Sequence, residues 1–218
     1  MKVLFLSYAY PPQKYPRSIQ ISHLVQFLRD KFELQIITAT PDMVGDLSML
    51  RFTPTNNVVN VDKSYVTKFI EESKGHRLKL MLLPDLSYLW HFDLYNAAKA
   101  KIERDGADII VTFGQPMSSH IAGLKLKKRF PKLKWFAHFS DPWVDNIFND
   151  YNIWTKFINR YYQNKVFNKA DKLIFTSQET IDLVMPTYPN RIRTKISCLP
   201  HSYNADLFND VAKLDKNF

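Results

Sequence analysis

Short apolar runs rich in β-branched residues alternate along this chain with longer stretches whose apolar residues recur at helical spacing. The first run, Lys2–Tyr8, has the pattern of a buried strand and ends before the breaker Pro11-Pro12. Residues 17–31 then carry one apolar face, which predicts a helix. The same reading predicts further strands at Leu34–Ala39, Val58–Val61, Asp108–Phe113, Lys134–Phe139, Lys172–Thr176 and Lys195–Leu199.

Helices are predicted between these strands, over residues 86–104, 117–130, 153–168 and 178–185, whereas residues 66–82 are ambiguous. The helix over 153–168 has Trp154, Phe157, Ile158 and Tyr161 on one apolar face. Strand–helix alternation at this pitch favours right-handed crossovers and a parallel sheet. We therefore predict one α/β domain over residues 1–203, Rossmann-like and doubly wound, with a mainly parallel sheet of about seven strands and helices on both faces. Residues 204–218 lose the apolar period and are predicted to begin an inter-domain connection.

Composition narrows the classes of function. Thirty Lys and Arg against 21 Asp and Glu give a net charge of +9, which favours anionic partners such as phosphates, acidic lipids or nucleic acid. None of the five glycines is spaced G-x-G, so the dinucleotide fingerprint and the P-loop are missing. The single cysteine, Cys198, permits no internal disulfide and indicates a reducing compartment. With no long apolar segment and no signal-like start, we expect a cytoplasmic protein, soluble or peripheral at a membrane.

Polar side chains follow most of the predicted strands. Because ligands of open parallel sheets lie beyond the carboxyl ends of the strands, these side chains predict a binding cleft there. The alternative is that they cap helices, a role that suits Ser118 and Ser177. The candidate residues are Tyr8, Arg17, Ser18, Gln115, Ser118, Ser119, His138, Asp141, Trp143 and His201.

The segment HFSDPW, residues 138–143, is the densest of these groups. His138 and Asp141 suit hydrogen bonding to a polyhydroxylated ligand, and Trp143 offers an aromatic face to a sugar ring. The structural alternatives are a histidine satisfied in the core, an Asp-Pro turn and a core tryptophan. The absence of D-x-D and HExxH motifs gives a divalent-metal site little support.

Residues 117–134 contain six basic residues and no acid, beside Leu124, Leu126 and Phe130. Such a one-signed helix fits peripheral contact with an anionic membrane, through Lys125, Lys127, Lys128 and Arg129. The alternatives are a solvated face or nucleic acid, and the latter lacks any recognition motif beside the charge. A second basic helix widens the same face with Lys156, Arg160, Lys165 and Lys169.

Five segments occur in a familiar order: SYAYPP (7–12), LPDLSYLW (83–90), the long block 108–143 that ends in SDPW, ADKLIFTSQET (170–180) and KISCLPHSYNADLF (195–208). With them, the chain resembles the N-terminal, acceptor-binding half of a GT-B glycosyltransferase of family 4 (group 1), in particular bacterial enzymes that build surface polysaccharides. It departs from that pattern at residues 13–16, which replace glycines, at Ser140, where Arg is frequent, and at His201-Ser202, which replace Asn-Gly.

The resemblance implies metal-independent transfer of a sugar, with retention of configuration, onto a saccharide or lipid-linked acceptor. It implies no cofactor, and a nucleotide-sugar donor held mostly by a second domain that follows this chain. His138 is implied to be the catalytic residue, facing the donor sugar or the acceptor, and Asp141 and Trp143 are implied to shape the acceptor pocket. The neighbouring wall is implied to be Gln115, Ser118, Ser119 and His120.

Two rival interpretations remain open. The first is a non-catalytic basic α/β module that binds an anionic membrane surface or a nucleotide. The second is a sugar-nucleotide epimerase or similar enzyme, which the missing glycine fingerprint disfavours.

Overall fold

The computed structural model describes residues 1–41, 50, 57–72, 85, 87–146 and 152–201. Within them, seven strands pair in parallel in the order β3-β2-β1-β4-β5-β6-β7. The strands are β1 Lys2–Leu6, β2 Glu33–Ala39, β3 Val58–Val61, β4 Ile109–Phe113, β5 Lys134–Phe139, β6 Lys172–Phe175 and β7 Ile196–Cys198. This confirms the predicted Rossmann-like α/β class.

The described helices occupy the crossovers between the strands. They are α1 Pro16–Leu28, α2 Tyr65–Glu72, α3 Trp90–Asp105, α4 Ser118–Arg129, α5 Ile153–Lys169, α6 Gln178–Val184 and α7 Asn190–Arg193. Helix α2 occupies the first part of the segment that the sequence pattern left ambiguous, and the rest of that segment lies outside the described residues. The predicted connection 204–218 also lies outside them. No helix of the described part of the chain is long and apolar enough to cross a membrane.

Two separate hydrophobic cores cover the two faces of the sheet. The larger core packs α3, α4 and α5 on one face and contains the fully buried Trp90, Trp135 and Trp143. The smaller core packs α1 on the other face around Phe5 and Phe113. Apolar residues on alternate positions of β1 and β4 therefore enter different cores, as expected for a sheet covered on both sides.

Gly123 allows α4 to lie unusually close to the sheet. A Cβ at this position would stand 2.7 Å from the Trp135 ring and 2.8 Å from Cγ2 of Thr112. Glycine is therefore the residue that permits this separation, because any side chain would push the helix off the sheet.

The order of the strands creates a switch point between β1 and β4. From β1 the chain proceeds to β2 and β3 on one side, and from β4 it proceeds to β5, β6 and β7 on the other. The crossovers that leave β1 and β4 therefore diverge, which opens a crevice at the carboxyl ends of these two strands. Helices α1 and α4 follow these strands and begin at that edge.

Candidate functional site

Arg17, in the first turn of α1, connects the crevice to the loop after β5. Its side chain is buried, and its Nη1 donates to Oγ of Ser140 and, at 3.0 Å, to Oε1 of Gln20. Burial lowers the pKa of Arg17 to about 10, against the opposing effect of the Asp141 carboxylate. The guanidinium therefore keeps its positive charge at neutral pH, in a place shielded from water.

His138 lies at the carboxyl end of β5 and is 5% exposed. Burial, and then the positive charge of Arg17 and the neighbouring His201, lower the pKa of His138 to about 3. Its imidazole is therefore neutral at physiological pH. Such a ring is suited to exchanging hydrogen bonds with hydroxyl groups, and it holds no proton ready for general acid catalysis.

His120 lies in α4 and is entirely buried. Its Nδ1 is 2.7 Å from Oγ1 of Thr112, which also accepts a hydrogen bond from the Trp135 indole at 2.9 Å. A hydroxyl oxygen can accept two hydrogen bonds and donate one, so the donor in the contact between Thr112 and His120 depends on the tautomer of the imidazole. Burial lowers the pKa of His120, with smaller effects of His138 and Arg17 in the same direction.

Gly114 leaves room for this second imidazole. A Cβ at Gly114 would lie 3.0 Å from Nε2 of His120 and 3.0 Å from Sδ of Met117. The backbone of Gly114 also donates to the carbonyl of His138 at 3.0 Å. The end of β4 thus holds the segments that carry both histidines, with no side chain between them.

Several polar atoms at this edge are buried without a hydrogen-bond partner among the described residues. Natural proteins pair the great majority of such groups, so a concentration of them at one place requires an explanation. All come from the segments at the carboxyl ends of β1, β4 and β5, and they are Nε of Arg17, Oγ of Ser18, Oγ of Ser118, Oγ of Ser119, Nε2 of His120 and Nδ1 of His138. Of these residues, Arg17 and His138 also line a cavity, where a ligand can reach them.

A cavity of about 460 Å³ begins at this polar edge and continues between α1 and the sheet. Arg17, His138 and His201 line it at the carboxyl edge, and the rest of its lining is mostly apolar. The His201 ring is 6.4 Å from that of His138, and burial and Arg17 lower its pKa. The cavity is large enough for a small ligand with both a polar and an apolar part.

The structure brings most of the predicted site residues to this edge. Arg17, His120, His138, Asp141 and His201 act on one another electrostatically. Ser18, Ser118 and Ser119 begin the two helices that face the crevice, and Gln115 is exposed beside them with a φ of 60°.

Tyr8 and Trp143 lie on the side of the larger core. Tyr8 is half-buried, and its ring contacts Trp90 edge-to-face at 5.0 Å. Trp143 is only 1% exposed, and its indole donates to Oδ1 of Asn159 at 2.8 Å. The expectation that Trp143 offers its ring to a sugar is therefore corrected in favour of the core alternative, because its aromatic face is covered by protein.

The expectation about helix caps holds at one serine and fails at the other. Ser177 precedes α6, and its Oγ accepts from the Thr180 N–H at 3.2 Å, as expected of an N-cap. Ser118 is the first residue inside α4, and Met117 holds the cap position without a side-chain bond. The Ser118 hydroxyl is consequently free for another partner.

Sequence reasoning missed two residues of this site. Ser140 was noted only as a departure from a pattern, yet it accepts from Arg17. Thr112 lies within an apolar strand, so no local signal pointed to its bond with His120. Within the described ranges, no group of three or more His, Cys, Asp or Glu residues could hold a metal ion.

No protein-family model matches the chain, and neither does any curated protein sequence. Solved structures do match. UDP-GlcNAc 2-epimerase from Neisseria meningitidis has a TM-score of 0.58 at 11% identity, over 100% of this chain and 50% of that one. An epimerase of the same name, described as putative, from Listeria monocytogenes has 0.55 at 15%, over 89% and 44%.

A glycosyltransferase from Streptomyces sp. SF2575 has a TM-score of 0.51 at 10% identity, over 94% of this chain and 55% of that one. The chain therefore spans about half the length of the solved structures it resembles. At these identities the likeness concerns the fold, and it establishes for this chain the Rossmann-like architecture of one half of a GT-B-type structure.

Proposed function

We propose that this chain is the acceptor-binding domain of a glycosyltransferase of the family 4 type. In this proposal the enzyme moves a sugar from a nucleotide-sugar onto a saccharide or lipid-linked acceptor, with retention and without a metal. The observation that carries the proposal is the set of unpartnered buried polar atoms at the carboxyl ends of β1, β4 and β5. The names of the matched structures, UDP-GlcNAc 2-epimerases and a glycosyltransferase, support a nucleotide-sugar enzyme.

The chemistry of these groups suits a saccharide. Serine hydroxyls and neutral imidazoles donate and accept hydrogen bonds, and sugar hydroxyls do the same. His138, with its pKa near 3, hydrogen-bonds and orients a sugar hydroxyl in this proposal rather than storing a proton. Arg17 adds one fixed positive charge, which suits a phosphate of the donor or of a lipid-linked acceptor.

The donor enters this proposal as a co-substrate that a second domain holds. The chain covers about half of the matched structures, which is the extent of one of two such domains. Closure of the two domains would then order the donor and the acceptor and exclude water. We accordingly expect the 218 residues alone to bind saccharides weakly and to show no turnover.

The proposal is tested by titrating the isotope-labelled chain with oligosaccharides and, separately, with UDP-sugars, while NMR shifts are recorded. We expect saccharide-dependent shifts at Arg17, His138 and His201, which His138→Asn abolishes. His23→Asn, on the same helix as Arg17, is the matched control and leaves them unchanged. Turnover by the chain alone, or saccharide shifts confined to other surfaces, would contradict the proposal.

A sugar-nucleotide epimerase is the second candidate, because several of the matched structures carry that name. The same titration separates the two. An epimerase domain needs no saccharide acceptor, so binding of UDP-GlcNAc without any saccharide binding would favour it. Binding of neither ligand would favour the non-catalytic basic module.

A further inference from the structure

The first half of helix α5 exposes large apolar side chains to solvent. Four large apolar residues near its start are exposed: Ile153 by 79%, Trp154 by 65%, Phe157 by 69% and Tyr161 by 48%. Their spacing of three and four residues places Trp154, Phe157 and Tyr161 on one face of the helix. We call these four residues the aromatic stripe.

The buried side of the same helix is polar along this stretch. Asn159 accepts from the Trp143 indole, and Gln163 accepts from the Val144 N–H at 3.1 Å and donates to Tyr188 at 2.9 Å. The packing of α5 against its own domain therefore does not use the aromatic stripe. An exposed apolar row of this kind indicates an interaction surface.

Positive charge surrounds the aromatic stripe. Helix α5 carries four basic residues and no acidic one. A groove of about 880 Å³ separates it from α4 and is lined by Tyr161, Lys165 and Lys169 on one side and by Lys125 and Lys128 on the other. The two basic helices thus present their charge on one continuous surface.

The ion pairs show which of these charges are available. Lys127 pairs with Asp171 at 2.8 Å and Arg129 with Glu103 at 3.3 Å, so both are engaged within the domain. Among the ion pairs of the described residues, none involves Lys128, Lys165 or Lys169.

Two of the cations on this surface lie directly on exposed aromatic rings. Lys165 lies 4.3 Å from the ring centre of Tyr161, and Lys125 lies 3.8 Å from that of Phe92. Cationic and aromatic groups therefore share one surface, as they do on helices that lie at the lipid–water interface.

We propose that the aromatic stripe and the groove lysines dock on the surface of an anionic lipid bilayer. The apolar side chains enter the layer between headgroups and acyl chains, and Lys128, Lys165 and Lys169 contact the negatively charged headgroups. A bilayer offers apolar depth and dense negative charge in one plane, which matches both parts of this surface. The sequence carries no nucleic-acid recognition motif beside this charge, which disfavours nucleic acid as the occupant.

The test uses the whole 218-residue chain and vesicles of phosphatidylcholine, alone or mixed equally with phosphatidylglycerol. Three of the four tryptophans are fully buried, so a change in tryptophan emission when vesicles are added is attributed to the exposed Trp154. We expect its emission to shift to the blue with the anionic vesicles and to be quenched by lipids brominated along the acyl chain. We expect flotation with the same vesicles to weaken as salt is raised.

Two sets of variants test the two parts of the surface. Trp154→Ser with Phe157→Ser removes exposed apolar groups and is expected to lower vesicle affinity at least about tenfold. Lys165→Glu with Lys169→Glu is expected to remove the preference for phosphatidylglycerol. Phe27→Ser is the matched control, because Phe27 is also 65% exposed and has Lys31 on its ring, but it lies on α1 across the sheet.

Three outcomes would overturn the proposal. The first is the absence of any Trp154 shift with anionic vesicles. The second is a loss of flotation in Phe27→Ser as large as in the stripe variant. The third is that the chain binds duplex DNA, or associates with itself in sedimentation, through the stripe while vesicles leave it unchanged. The sugar-transfer proposal is tested separately, by saccharide-dependent NMR shifts at His138 and Arg17. None of these three outcomes would therefore contradict it.

Discussion

The two edges of the parallel sheet differ in how their polar groups are satisfied. At the amino edge, the Lys2 N–H donates to Asp108 at 2.8 Å. Asp171 accepts from the Trp135 N–H at 2.9 Å and from Lys127 at 2.8 Å. These groups are paired within the domain, so this edge contributes to stability.

At the carboxyl edge, hydroxyl, imidazole and guanidinium atoms are buried without partners in the described part of the chain. Each such atom costs about 1–3 kcal/mol of desolvation that no bond recovers. A fold tolerates this where a ligand supplies the missing bonds. The comparison teaches that the groups that stabilise the fold and the groups proposed to bind a ligand lie at opposite ends of the strands. The following predictions test that separation.

The largest effect is expected from acid. His138 has a folded pKa of about 3 against an ordinary value of 6.5, so as pH falls below 6.5 the unfolded chain takes up a proton that the folded chain does not. The free energy of unfolding should then fall by about 1.4 kcal/mol per pH unit for each such histidine. Denaturant titrations from pH 7 to pH 4 measure it, and His138→Asn should flatten the slope. An unchanged slope would refute this assignment.

The two edges of the sheet should also lose their contributions to stability in different pH ranges. The pKa of Asp171 lies below its ordinary value of 3.8, because its bonds to Lys127 and the Trp135 N–H outweigh burial. Its contribution is therefore complete above about pH 4 and is lost only as pH falls further. Asp171→Asn should alter the curve below pH 4 and leave the histidine region unchanged.

The next effect is expected at the amino edge. Asp171→Ala leaves the buried Trp135 N–H without an acceptor, which should lower the free energy of unfolding by about 2 kcal/mol. Lys134→Ala is the control, because that lysine is exposed and 3.8 Å from Asp171, and it should cost less than about 0.5 kcal/mol. Saccharide shifts at His138 should persist in both variants. Loss of these saccharide shifts would mean that the amino edge affects binding at the carboxyl edge.

Arg17→Met should have the opposite effects to Asp171→Ala, with little change in stability and a large loss of saccharide binding. It removes a desolvated guanidinium with an unpartnered Nε, so unfolding free energy should stay within about 1 kcal/mol of the parent. Saccharide affinity should fall at least about tenfold, because the charged donor of the site is lost. Arg29→Met, beyond the end of α1, should change neither. A large loss of stability with unchanged binding would assign Arg17 to the scaffold.

The smallest effect on stability is expected at Ser119. Its buried hydroxyl has no partner among the described residues, so Ser119→Ala should not lower the unfolding free energy and should raise it by about 1 kcal/mol, because the desolvated hydroxyl is removed. Thr112→Val removes a hydroxyl that bonds to both His120 and Trp135, and it should cost about 2 kcal/mol. Thermal melts of the two variants make the comparison. Equal losses would mean that Ser119 also has a structural partner.

The predictable parts of the site follow from one property of parallel sheets, which place the carboxyl ends of all strands at one edge. Residues as distant in sequence as Arg17, His138 and His201 were expected together on that ground alone, and they do meet. The unpredictable parts depend on partners in other elements. Trp143 is covered because it packs in the larger core, where its indole donates to Asn159, and nothing in the segment HFSDPW indicates this.

The sequence by itself determined the order and type of the elements, because hydrophobic periodicity is a local property of the chain. It also determined which groups stand at the carboxyl edge, because strand direction follows from the crossovers. Only the tertiary structure decided which side of α5 is buried and that Lys127 is held by Asp171. Those outcomes depend on contacts between residues far apart in the chain, whose geometry no local pattern contains.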